Sequence, residues 1–69
     1  MKTKKQIVNN VQQLRKKSGF TQEELAARLS VSRQTIISIE KGKYTPSVML
    51  ALKIAHVFST PVESIFQIE

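Results

Sequence analysis

Sixty-nine residues with no cysteine and a single histidine, His56, make a one-domain chain without a disulfide framework or a thiolate metal site. Its five acids are all Glu, so with no Asp, no Cys and one His the usual sources of general bases and nucleophiles are nearly absent, and an enzyme is not expected. Eleven Lys and Arg against those five Glu give a net charge of +6, which directs attention to polyanions; no cofactor, metal or small-molecule ligand is expected.

The chain opens on Lys2, Lys4 and Lys5, which read equally as a basic arm adding phosphate contacts or as a solubilising tail. Val8, Val11 and Leu14 then recur at helical spacing, predicting a first helix from about Asn9 until Gly19 stops it. Thr21 followed by Glu24 is a capping box, in which each side chain satisfies the other's free backbone N–H, and it starts a second helix burying Leu25, Ala26 and Leu29. That helix reaches only about Ser30, because Ser32 is a fresh N-cap for a third helix that buries Ile36 and Ile39 and ends at Gly42. Thr45-Pro46-Ser47 opens a fourth helix, with Val48, Ala51, Leu52, Ala55 and Phe58 on one face. A second stripe, Leu50, Ile54 and Val57, makes it apolar on most sides, so it is central or lies at an interface. Pro61 suits the first turn of a short fifth helix carrying Val62, Ile65 and Phe66. The two ends, Gln6-Ile7-Val8 and Ile65-Phe66-Gln67-Ile68, are rich enough in β-branched and aromatic residues to pair as short strands, or they remain irregular.

Function concentrates between Thr21 and Lys43. Two short helices joined by a turn of about three residues form a helix-turn-helix, at about 21–42, if the second helix is free to enter a major groove. With Ile36, Ile39 and Glu40 turned to the core, Arg33, Gln34, Ile37, Ser38 and Lys41 face outward. Arg bridges guanine O6 and N7, Gln bridges adenine N6 and N7, and an exposed aliphatic covers a thymine methyl. Solvation alone accounts for any one polar residue on a helix face, but an outward Ile37 between Arg and Gln serves no solubility purpose.

The run Thr21-Gln22-Glu23-Glu24-Leu25-Ala26, then Val31-Ser32-Arg33-Gln34-Thr35-Ile36, then Ile39-Glu40-Lys41-Gly42 and Pro46-Ser47 resembles the Cro/lambdoid-repressor helix-turn-helix family, also called xenobiotic-response-element-like regulators. The ending, from Ala51 to Phe66, is similar to the small stand-alone cytolysin-repressor type. The resemblance implies an all-α fold: a compact five-helix domain over residues 1–69, with a short two-stranded β-ribbon joining the termini if the ends pair. It makes Arg33, Gln34, Ile37 and Ser38 base-reading residues. Gln22, which in relatives spans a phosphate and a glutamine of the recognition helix, becomes a backbone-positioning residue with Ser32, Thr35, Lys41, Lys43 and Tyr44. Arg15 and Glu40 match a structural ion pair, and each lies four residues beyond a core residue, Val11 and Ile36, at the core's edge. The family often has Gly where this chain has Ser30, at a left-handed turn position that costs a non-Gly residue on the order of 1 kcal/mol, so either the turn carries that strain or its geometry differs.

Charge is divided along the chain. Residues 1–43 carry ten bases and three acids, whereas residues 44–69 carry Lys53 against Glu63 and Glu69. The basic part is expected to meet DNA and the nearly neutral remainder, about 48–69, to dimerise through Val57, Val62, Ile65, Phe66 and Ile68. His56, without a second metal-ligating side chain, is a surface or interface residue. Lys53 interrupts the most apolar stretch short of the ~18 residues of a membrane span, and no apolar segment follows the first lysines, so neither a membrane segment nor a secretory signal is expected and the location is cytoplasmic. The leading reading is a sequence-specific, double-stranded-DNA-binding transcriptional regulator, a homodimeric repressor on an inverted-repeat operator. An antitoxin that represses its own operon is the alternative within DNA binding, and a basic protein-interaction module is the alternative outside it.

Overall fold

The computed structural model describes residues 6–69; Lys2, Lys4 and Lys5 lie outside the described residues. Among the described residues, five helices and one two-stranded antiparallel sheet follow in the order β1 (Ile7–Asn9), α1 (Val11–Lys17), α2 (Gln22–Leu29), α3 (Arg33–Glu40), α4 (Val48–Phe58), α5 (Val62–Ile65) and β2 (Phe66–Ile68). The termini therefore pair, in the register Ile7 to Ile68, Val8 to Gln67 and Asn9 to Phe66. Gln6 and Glu69 extend the ladder by exchanging backbone hydrogen bonds of 3.2 and 2.8 Å. Val8 consequently belongs to a strand rather than to the first helix, which starts at Val11.

Asn9 makes the transition from strand to helix. Its Oδ1 accepts from Val11 N at 3.0 Å, satisfying the first free amide of α1, while its Nδ2 donates to the Ile39 carbonyl at 3.0 Å. One side chain thus starts α1 and holds the end of α3. The later helices start on their own caps. Thr21 Oγ1 accepts from Glu24 N at 3.0 Å and Glu24 Oε1 from Thr21 N at 2.8 Å. Ser32 and Ser47 accept from Thr35 N and Leu50 N, both at 3.1 Å.

Helices α1 to α4 end alike. In each, a left-handed residue and its successor donate back to carbonyls three and five residues earlier: Gly19 and Phe20, Ser30 and Val31, Gly42 and Lys43, Ser59 and Thr60. The turn inside the helix-turn-helix therefore keeps the left-handed geometry, with Ser30 at φ 59°, and accepts the strain of a Cβ there. Ser59, at φ 49°, does the same at the end of α4.

Val11, Leu25, Ala26, Leu29, Ile36, Ile39, Leu50, Ile54 and Ile65 form the core, one cluster fed by all five helices. On α4 the stripe Leu50, Ile54 and Val57 turns inward, whereas Val48 and Leu52 of the other stripe are exposed with Met49. Phe20 packs its ring 6.4 Å from that of Phe58 and lies under the Arg28 guanidinium at 4.5 Å, binding the α1–α2 turn to the end of α4.

The matched turns give a paired stability test. Ser30→Gly is expected to raise stability by about 0.5–1 kcal/mol, the left-handed cost relieved less the added freedom of the unfolded chain. Gly42→Ser, at φ 75° where an added Cβ meets no atom within 4 Å, is expected to lower it by a similar amount through backbone strain alone. Thermal melts by circular dichroism check both, and opposite signs are required.

Candidate nucleic-acid interface

The interface is built on α3, and α3 is held by a buried network. Arg15 of α1 donates from Nε to Glu40 Oε2 at 2.6 Å and from Nη2 to Glu40 Oε1 at 3.3 Å, and its Nη1 donates to the Phe20 carbonyl at 2.9 Å. Gln22, at the first position of α2, donates from Nε2 to Glu40 Oε1 at 3.1 Å. The paired side chains of Arg15 and Glu40 are 10% and 4% exposed. One carboxylate at the end of α3 therefore gathers donors from α1 and α2, and its fork geometry with Arg15 leaves little rotational freedom. The expected ion pair is present. Gln22, however, spends its amide on Glu40 rather than on the recognition-helix glutamine Gln34, because the carboxylate is the stronger acceptor within reach.

With Ile36 and Ile39 fully buried, the opposite face of α3 is left to solvent. Arg33 and Gln34 are exposed at its start, and Ile37 and Ser38 are half-buried one turn on. Ser32 Oγ caps Thr35 N and lies 3.0 Å from Thr35 Oγ1, so these two hydroxyls are fixed at the tip of the helix. Lys41, Lys43 and Tyr44 follow on the exposed segment after α3, with Lys43 N bonded to the Ser38 carbonyl at 2.9 Å. The side chains read as base-contacting thus share one face, and those read as backbone-contacting lie at its two ends.

An open polar cleft of about 540 Å³ adjoins the start of α3, and its lining includes Gln12, Lys16, Gln22 and Arg33. Gln12 and Lys16 on α1 are additions to the site. Their only mark in the sequence is that they are exposed polar residues one turn apart on α1, and the Arg15–Glu40 contact between α1 and α3 is what brings that face beside Arg33.

The expected dimer residues divide differently. Ile65 is 0% exposed and belongs to the core, so it offers no contact surface, contrary to expectation. Val57 and Phe66 are half-buried and pack against the core, Val62 is half-buried, and Ile68 alone of the five is largely exposed, at 71%. Ile65 is taken by the monomer: α5 is a single turn whose end, Ile65, plugs the core before the chain turns into β2.

A family model described as helix-turn-helix matches residues 11–65, from the start of α1 to the end of α5. The chain belongs to the helix-turn-helix family, of the Cro and xenobiotic-response-element type. This family consists of DNA-binding transcriptional regulators and not of enzymes. Among relatives of this helix-turn-helix protein, an uncharacterized HTH-type transcriptional regulator of Bacillus subtilis is 48% identical over 61 residues, covering 88% of this chain and 92% of its own. One from Methanocaldococcus jannaschii is 55% identical over 58 residues, covering 84% and 88%. A crystal structure of a Bacteroides fragilis protein superposes with a TM-score of 0.79 over 88% of this chain and 98% of that one, at 20% identity, which speaks for the fold. No helix among the described residues is long and apolar enough to cross a membrane.

The buried network generates a stability test. Glu40→Ala leaves the Arg15 guanidinium buried without its counter-charge and is expected to cost about 3–5 kcal/mol. Arg15→Met combined with Glu40→Leu is expected to cost less than either single change, as urea denaturation of the set measures.

Proposed function

We propose that this helix-turn-helix protein is a sequence-specific repressor that binds an inverted-repeat operator in double-stranded DNA as a homodimer, in the cytoplasm. The observation that carries the reading is the outward face of α3. Arg33 and Gln34, the two side chains suited to bidentate base contacts, stand exposed at the tip of a helix whose other face is locked into the core. Ile37 and Ser38, half-buried one turn on, have side chains suited to a thymine methyl and a neighbouring base edge. Gln22, Ser32, Thr35, Lys41, Lys43 and Tyr44 are the backbone-positioning set, with Gln12 and Lys16 added from the cleft. A single recognition helix reads too few base pairs to locate one site, so two copies reading half-sites about 34 Å apart supply the missing specificity. Repression then follows by occlusion of the operator.

Selection of bound duplexes from a random pool tests binding, preference and half-site symmetry together; recovery of an inverted repeat is expected, and an unenriched pool overturns the reading. Arg33→Ala and Gln34→Ala are each expected to weaken the selected site by about 1–3 kcal/mol and to relax preference at particular base pairs. Lys43→Ala is expected to weaken all duplexes alike. If about six to eight phosphates are neutralised per dimer, log K falls against log salt with a slope of roughly −5 to −7, measured by fluorescence anisotropy.

A further inference from the structure

Asn9 does more than begin α1. Its amide sits between two backbone groups of opposite kind, accepting from Val11 N through Oδ1 and donating to the Ile39 carbonyl through Nδ2, both at 3.0 Å. Reversing the amide would set N–H against N–H and oxygen against oxygen, so its orientation is fixed. The Ile39 carbonyl also accepts from Gly42 N at 2.9 Å, which engages both of its lone pairs. Beside it the carbonyls of Ser38 and Ile37 accept from Lys43 N and Lys41 N, at 2.9 and 3.1 Å. The last carbonyls of α3 are therefore the hook on which the segment from Lys41 to Tyr44 hangs.

That segment has little else to hold it. Lys41, Gly42, Lys43, Tyr44 and Thr45 are exposed, and a Cβ added at Gly42 would meet no atom within 4 Å. An open cleft of about 280 Å³ lies between β1 and Glu40, Lys41 and Gly42, and among the described residues Asn9 makes the one hydrogen bond that crosses it.

We infer that Asn9 is a positioning residue for DNA binding: through the Ile39 carbonyl it sets the place of Lys41 and Lys43 against the phosphate backbone. The inference rests on the backbone-contacting reading of those lysines and adds a residue that acts through them. A lysine gains fully from a phosphate only if the turn that carries it is ordered beforehand, since otherwise binding bears the cost of ordering it. Gly42, at φ 75°, is where this turn has most freedom, and Asn9 donates to the very carbonyl that Gly42 uses. The ribbon gives that donor a fixed base. Gln6 and Glu69 exchange backbone bonds, and Asn10 donates from N to the Ile65 carbonyl at 3.2 Å and from Nδ2 to the Ser64 carbonyl at 3.3 Å. These bonds keep β1 on β2 and α5 without the Asn9 amide, so the link to α3 is what a change at Asn9 removes.

Asn9→Ser keeps an acceptor for Val11 N and is too short to reach the Ile39 carbonyl. The variant chain is expected to keep its far-ultraviolet spectrum and the protection of its Val11 amide, while the amides of Gly42 and Lys43 exchange faster with solvent. Asn9→Thr offers the same acceptor on a side chain better suited to a strand and is expected to behave alike. On the selected operator duplex, well below the melting range, affinity is expected to fall about three- to tenfold, the worth of one hydrogen bond, and log K to depend less steeply on log salt. With Lys41 and Lys43 both replaced by Ala, adding Asn9→Ser is expected to change affinity by less than about twofold. Unaltered exchange at Gly42 and Lys43 overturns the tie, and unaltered operator affinity overturns the positioning role. An equal loss with and without the two lysines sets the action of Asn9 elsewhere and overturns the inference as well. If Lys41→Ala with Lys43→Ala itself leaves binding unchanged, the backbone-contacting reading of the segment fails and takes this inference with it.

Discussion

Glu40 sets the geometry on which the DNA-facing surface depends. Its carboxylate sits at the end of α3, almost wholly out of water, and is made tolerable by donors from Arg15 on α1 and Gln22 on α2. A buried charge with that many directional partners fixes the angle between helices more tightly than aliphatic packing, which tolerates sliding. The core beneath is small and mostly Ile, Leu and Val, so it supplies cohesion without a unique register. Glu40, and Asn9 at the Ile39 carbonyl, hold the end of α3 while buried Ile36 anchors its first turns, so Arg33 and Gln34 stand on a helix fixed along its length.

What was readable in advance follows from how local each signal is. Thr21 with Glu24, Ser32 and Ser47 act within three residues of themselves, so the starts of α2, α3 and α4 could be placed from the sequence; Thr21 and Ser32 cap as expected, and Ser47 caps within the segment expected to open α4. Gly19 and Gly42 mark stops for an equally local reason. Ser59 does not announce its left-handed conformation, because serine is not selected for it; the position is imposed by the turn from α4 to α5. The outward set on α3 was legible because Ile36 and Ile39 leave only one face free, whereas the role of Gln12 and Lys16 depends on how α1 crosses its neighbours.

Helix α4 shows the limit of periodicity. Around α4 apolar side chains occur on nearly every side, so no spacing rule distinguishes the packed face from the free one. The neighbours decide: Leu50 and Ile54 are taken into the core, and Val48, Met49 and Leu52 are left out. The same ambiguity misplaced Ile65, whose burial depends on a one-turn helix delivering it to a gap that the other four helices leave. Helix α4 is therefore both the floor of the fold and the carrier of an apolar surface left exposed.

The ribbon that ties Gln6 to Glu69 has a different kind of consequence, one of timing. Helices joined by short turns meet at little entropic cost, but β1 and β2 are separated by nearly the whole chain, and closing a loop of that length is rewarded only once the helices have shortened the distance between its ends. The strands therefore zip after the bundle has condensed and part before it melts. When they part, Asn9 leaves the Ile39 carbonyl, and the end of α3 loses one of its two anchors while the core remains intact. The rigidity of the recognition helix is thus tied to the last and least costly step of folding, so small opening fluctuations at the chain ends reach the DNA-facing surface without unfolding the domain.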